Sequence, residues 1–125
     1  IDVGNPHAVV FASDLEKIGD LRTAPKVIPE QTYLDGVNIE FIKIESANEI
    51  KMRVFERGVG ETQSCGTGTC AVALAATIKS NKSLPSKWFI NPPGGRLTVE
   101  LDGHSNATLI GPAELVKDLE LDQYL

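Results

Sequence analysis

The sequence predicts an α+β fold in which an antiparallel or mixed β-sheet wraps barrel-like around one buried central helix. Three observations point there. Residues 69–80 form the one long helical pattern, and Ala71, Val72, Ala73, Leu74, Ala75, Ala76 and Ile78 surround its axis instead of marking a stripe. A helix that is apolar all round is a buried one. Around it lie seven short strand-like runs, at residues 7–11, 37–44, 50–56, 87–90, 96–101, 107–110 and 114–121. Helices do not alternate with these strands, which argues against a βαβ architecture.

Each element has a local reason. The first strand follows a Gly4-Asn5-Pro6 breaker, and Ser13-Asp14 then offers an N-cap for a brief helical piece ending near Gly19. Residues 22–35 carry Pro25 and Pro29 without a period, and predict a surface connection with at most one helical turn. In the second strand Val37, Ile39, Phe41 and Lys43 oppose Asn38, Glu40, Ile42 and Ile44. In the third, Ile50, Met52, Val54 and Glu56 oppose Lys51, Arg53 and Phe55, with Ser46-Ala47-Asn48-Glu49 as the hairpin connection. A Pro92-Pro93-Gly94-Gly95 turn separates the next two strands, and Asp102-Gly103 closes the latter. His104 falls in a surface loop.

The chain's 125 residues suit one domain, and 42% hydrophobic with 23% charged residues exclude disordered and fibrous classes. A net charge of −5 with no Lys/Arg cluster argues against nucleic acid and anionic membrane as partners. The most apolar run, residues 71–78, is too short to span a bilayer. No signal peptide pattern opens the chain, and Ile1 stands where a Met would, so a fragment or one domain of a longer chain is expected. Two cysteines are too few for a disulfide scaffold; reduced thiols in a cytoplasm are the expectation.

The chemistry concentrates in Glu56-Arg57-Gly58-Val59-Gly60-Glu61-Thr62-Gln63-Ser64-Cys65-Gly66-Thr67-Gly68-Thr69, which joins a strand to the central helix. Its glycines let backbone approach a ligand closely. Cys65 sits just before the helix, where free amides and the positive end of the dipole favour negative charge, so a thiol there ionises more readily than an exposed one. The amides of Gly66, Thr67 and Gly68 are placed to hold a carboxylate. A basic sulfur beside a carboxylate clamp is what chemistry at an amino acid's α-carbon requires. Cys70, inside the apolar helix, is assigned to packing. No metal site is expected, since no His or Cys completes a shell. Residues 66–71 match a G-x-G-x-x-A dinucleotide pattern but lack the strand immediately before it, and a Walker-type loop fails for want of its Lys-Ser/Thr pair.

With these residues in view, the segment from Glu56 to Thr69 resembles the second-cysteine motif of the diaminopimelate epimerase family. Gly4-Asn5-Pro6-His7-Ala8-Val9, Gly36-Val37-Asn38-Ile39-Glu40-Phe41 and Asn91-Pro92-Pro93-Gly94-Gly95 resemble three more of its motifs, in the expected order. Proline racemases share Cys-Gly-Thr-Gly but differ before it. The resemblance implies a C-terminal domain over residues 1–125, one of two similar halves facing across a cleft. It implies interconversion of LL- and meso-diaminopimelate by two cysteines, without a cofactor, in the cytoplasm. Cys65 is the second of those cysteines, and the first belongs to the N-terminal half, without which the fragment is expected to be inactive. Substrate contacts are implied at Asn5, Asn38, Glu56 and Arg57, with the amides of Gly66 and Thr67 on the reacting carboxylate and His7 as an auxiliary. An ammonium and a carboxylate at the substrate's far end suit an acceptor such as Glu56 and a fork such as Arg57. The partners implied are a small amino-acid substrate and the N-terminal half, and a homodimer is compatible with them. Residues 111–125 match weakly and are expected to pack on the other half. The alternatives are a related racemase of another amino acid such as histidine, a catalytically silent amino-acid-binding module, and, ranked lower, a cysteine hydrolase with His7 as base.

Overall fold

In a computed structural model, residues 1–104 and 106–120 are described, and they form a mixed seven-stranded sheet curved around one helix. The strands are β1 (His7–Phe11), β2 (Asn38–Ser46), β3 (Glu49–Glu56), β4 (Gly60–Thr62), β5 (Ser86–Asn91), β6 (Leu97–Leu101) and β7 (Ala107–Ile110), and the helix is α1 (Gly66–Lys79). Their order is β1-β2-β3-β5-β6-β7, with β4 on β3 as well. The β1–β2 and β3–β5 pairs are parallel, and the others antiparallel. β3 carries two partners on one edge: β5 pairs at Glu49–Lys51 and β4 at Val54–Glu56.

Alternation along the strands sends one face to the helix. Ile42, Ile50, Met52, Val54, Trp88, Ile90, Val99 and Leu101 pack there on Val72, Ala73 and Ala76. The small alanines let the sheet close in on α1. Trp88 is fully buried, and its Nε1–H donates to Thr77 Oγ1 at 2.8 Å while that hydroxyl donates to Ala73 O at 2.9 Å. No polar atom of this deep indole–hydroxyl pair goes without a partner, as burial demands.

The opposite face of β1–β3 is covered too. Val37, Ile39 and Phe55 are buried there, with Val27 and Tyr33 packed against them. The unpatterned stretch at 22–35 is therefore a cover with one 3-10 turn (Glu30–Tyr33), and another such turn (Glu16–Ile18) follows β1.

The wrap is not complete. β1 and β7 stand at the two ends of the strand order and do not pair, so the sheet is not closed. Burial of α1 all round is accordingly not observed: Gly66, Thr67 and Ile78 are exposed, and Cys70 and Leu74 are half-buried. The helix also starts three residues earlier than expected. The strand expected at 114–121 is absent over 114–120, which are exposed and without regular structure, and Leu121 lies outside the described residues. Leu115, Val116 and Leu119 are exposed, so this segment buries no apolar face on the sheet. His104 is exposed, as expected of a surface loop.

Candidate active site

The site begins with the way α1 starts. Cys65 is its N-cap, with extended backbone (φ −136°, ψ 112°), and its sulfur accepts the Gly68 N–H at 3.4 Å. A thiol thus takes the place usually held by a Ser, Thr, Asp or Asn oxygen. The Cys65 carbonyl accepts from Thr69 N at 2.8 Å and from Thr69 Oγ1 at 2.7 Å, which fixes the first turn. Thr67 Oγ1 lies 3.6 Å from the sulfur. Gly66 and Thr67 are exposed, and amides in a first helical turn have no partner within the helix. A sulfur and two outward amides at the positive end of α1 therefore share one small surface.

The loop before Cys65 is buttressed from an unexpected quarter. Gly94 N donates to Gln63 O at 2.8 Å, and a β-carbon on Gly94 would come within 2.9 Å of that oxygen. The Pro92–Gly95 turn is thus more than a hairpin connection; it holds the backbone two residues before the cysteine.

The remaining expected residues gather where β1 and β2 start and β3 ends. His7 and Asn38 are register partners across the parallel β1–β2 pair. Asn38 Nδ2 donates to Pro6 O at 3.3 Å, and its Oδ1 accepts from Arg57 N at 3.0 Å, so this side chain ties three segments together. Glu56 Oε1 accepts the Thr62 hydroxyl at 2.6 Å. Asn5 Oδ1 lies 3.1 Å from His7 Nε2. Arg57 Nη1 donates to Asp35 O at 3.1 Å, so its guanidinium is engaged on the outer cover. These residues do not line one enclosed pocket. Gly66 and Thr67 open onto a trough of about 830 Å³ floored by Cys70, Leu74, Leu101 and Leu109, while Arg57 borders a separate hollow with Val27 and Tyr33.

One residue at this end is absent from the expectations. Glu40 is fully buried, and its Oε1 lies 2.6 Å from His7 Nδ1. Its other oxygen, Oε2, is buried without a hydrogen-bond partner among the described residues. Burial pushes the carboxyl above the ordinary carboxylate range, while the hydrogen bond from His7 acts in the opposite direction. That Glu40 shares a face of β2 with Asn38 and Ile42 was legible from alternation; its partner, 33 residues away, was not. Cys70 behaves as packing: it is half-buried against the core, and desolvation pushes its thiol up. Among the described residues there is no group of three or more His, Cys, Asp and Glu side chains that could hold a metal. Likewise, no helix there is long and apolar enough to cross a membrane.

Comparison with known proteins identifies the family. The family profile described as diaminopimelate epimerase matches residues 1–116. A protein named diaminopimelate epimerase from Streptomyces coelicolor is 40% identical over 127 residues, covering 98% of this chain and 44% of that protein. One of the same name from Agathobacter rectalis is 44% identical over 128 residues, covering 98% and 42%. The chain thus spans less than half the length of these curated relatives. A crystal structure of a PhzF-family phenazine biosynthesis protein from Enterococcus faecalis shares the fold, at a TM-score of 0.50 and 19% identity over 82% of this chain and 36% of that one.

Proposed function

The chain belongs to the diaminopimelate epimerase family, and on that premise we propose that it is one half of a cofactor-independent, cytoplasmic epimerase interconverting LL- and meso-diaminopimelate. Cys65 is one of two proton-transfer residues in this reading. The other cysteine comes from the N-terminal half, which is the partner, and this chain alone is inactive. A homodimer of the full-length protein is part of the proposal.

The observation that carries the reading is the Cys65 sulfur at the N-cap of α1, beside the exposed residues Gly66 and Thr67, whose amides lie in the first helical turn. A thiolate there takes the α-proton: the carbon–hydrogen bond breaks, a sulfur–hydrogen bond forms, and the electron pair passes into the substrate carboxylate. The second thiol returns a proton to the opposite face of the carbon. Negative charge grows on the carboxylate in the transition state, and fixed amides at a helix start stabilise it without reorganising. Glu56 and Arg57 then bind the substrate's far amino-acid end, for which Arg57 gives up its contact with Asp35 O, and the amides of Asn5 and Asn38 contact either end of the substrate. His7 assists from beside Asn5.

The test is Cys65→Ala in the full-length protein with LL-diaminopimelate, monitored by stereospecific analysis of the product. Loss of epimerisation is expected, whereas Cys70→Ala keeps it. Wild-type turnover by Cys65→Ala refutes the assignment.

A further inference from the structure

Glu40 is a buried carboxyl that the proposed reaction does not use. Its surroundings show how it is spent. With the Asn5 amide as placed, both ring nitrogens of His7 face oxygens, Glu40 Oε1 at 2.6 Å and Asn5 Oδ1 at 3.1 Å. That arrangement needs either an imidazolium against a carboxylate, or a neutral imidazole against a carboxylic acid. Both hold one proton between the two residues. Removing it leaves either the Nδ1 lone pair against a carboxylate or, in the other tautomer, the Nε2 lone pair against Asn5 Oδ1, while Glu40 Oε2 has no partner among the described residues.

The carboxyl also lies beside Cys65. A β-carbon on Gly68 would sit 2.5 Å from Glu40 Oε1 and 3.2 Å from Cys65 Sγ, so acid and thiol are no farther apart than those two lengths together. Gly68 has no side chain where the carboxyl fits beneath the start of the helix. Among the described residues, the charged and titratable groups near this spot are His7 from β1, the Ile1 ammonium, which donates to His7 O at 3.0 Å, Asp2, which lines the trough with Gly66 and Thr67, and Cys65 at the start of α1, with Cys70 a little more than one turn on. From β3 the register partner of Glu40 is the apolar Val54.

We propose that Glu40 is a positioning residue: it shares a single proton with His7, and the charge of that pair governs whether the neighbouring Cys65 sulfur carries its own. The inference rests on the reading of Cys65 as a proton-transfer residue. While the dyad keeps its proton it is neutral overall and tolerates a thiolate. Once the proton is lost, a buried negative charge faces the sulfur and opposes a second one.

Alkylation of Cys65 by iodoacetamide in the full-length protein, followed across pH by peptide-resolved mass spectrometry, reads this coupling. The unaltered protein gives a profile broader than a one-proton curve. Glu40→Gln keeps the shape and a hydrogen bond to His7 but cannot become negative; it gives a one-proton curve whose midpoint lies about one pH unit lower. An unmoved or higher midpoint overturns the proposal. If Glu40→Gln does not fold, Cys65→Ser supplies the reciprocal measurement, since coupling between two sites is mutual. Followed by NMR across pH, the His7 ring signals then change at lower pH than in the unaltered protein, and an unchanged His7 profile overturns the proposal. Neither readout uses epimerisation. A full-length protein that does not epimerise contradicts the proposed function and leaves these curves standing.

Discussion

The sulfur of Cys65 accepts the backbone N–H of Gly68 at 3.4 Å, so the residue proposed for proton transfer is also the N-cap of α1. Structure and chemistry therefore draw on the same atom, and substitutions can separate them. Serine supplies a cap of comparable quality, whereas alanine supplies none and costs about 1 kcal/mol. Cys65→Ser should unfold in urea near the wild-type midpoint and Cys65→Ala earlier, with both unable to epimerise.

Gly68 sets helix propensity against packing. In an exposed helix, Gly→Ala stabilises by about 1 kcal/mol. Here the added β-carbon falls 2.5 Å from Glu40 Oε1 and 3.1 Å from its Cδ, and forcing such an overlap costs about 1–3 kcal/mol. Gly68→Ala is expected to destabilise. In a Glu40→Ala background the same change is expected to stabilise, and a double-mutant cycle by chemical denaturation measures the difference.

These two residues also mark where sequence reasoning reaches and where it stops. β1, β3, β6 and β7 follow from alternation and breakers. The cysteine at the start of α1 follows from its loop, because N-terminal signals are local. The start of α1 was harder to place. Glycines 66 and 68 argue against helix, and only the tertiary contact with Glu40 explains Gly68. The cover over Val37, Ile39 and Phe55 has no period to betray it, since an irregular segment buries scattered side chains. The His7–Glu40 pair depends on the β1–β2 register, which no single segment encodes. The strand expected at 114–121 does not form over 114–120, whose apolar side chains stay exposed.

Trp88 tests the core. Its indole is fully buried and bonded to Thr77, which keeps its own bond to Ala73. Trp88→Phe removes ring volume and a donor together, with an expected loss of about 2–3 kcal/mol in denaturant unfolding.

Glu40 predicts a pH dependence whose sign follows from its environment. Burial holds its carboxyl above the ordinary range, so this group taken by itself favours the native state while it carries its proton. Stability from this group is therefore fullest below the ordinary carboxylate range and declines as pH rises towards the folded value. Denaturation at a series of pH values should show that decline in the unaltered protein and a flatter curve for Glu40→Gln.

The central claim is that Cys65 exchanges a proton with the substrate's α-carbon, and solvent isotope incorporation tests it most directly. The full-length protein, incubated with LL-diaminopimelate in deuterium oxide without added cofactor, should yield meso product carrying deuterium at the inverted carbon, and Cys65→Ser should yield none. Inverted product that retains its original hydrogen, or deuterated product from Cys65→Ser at the wild-type rate, would contradict the account.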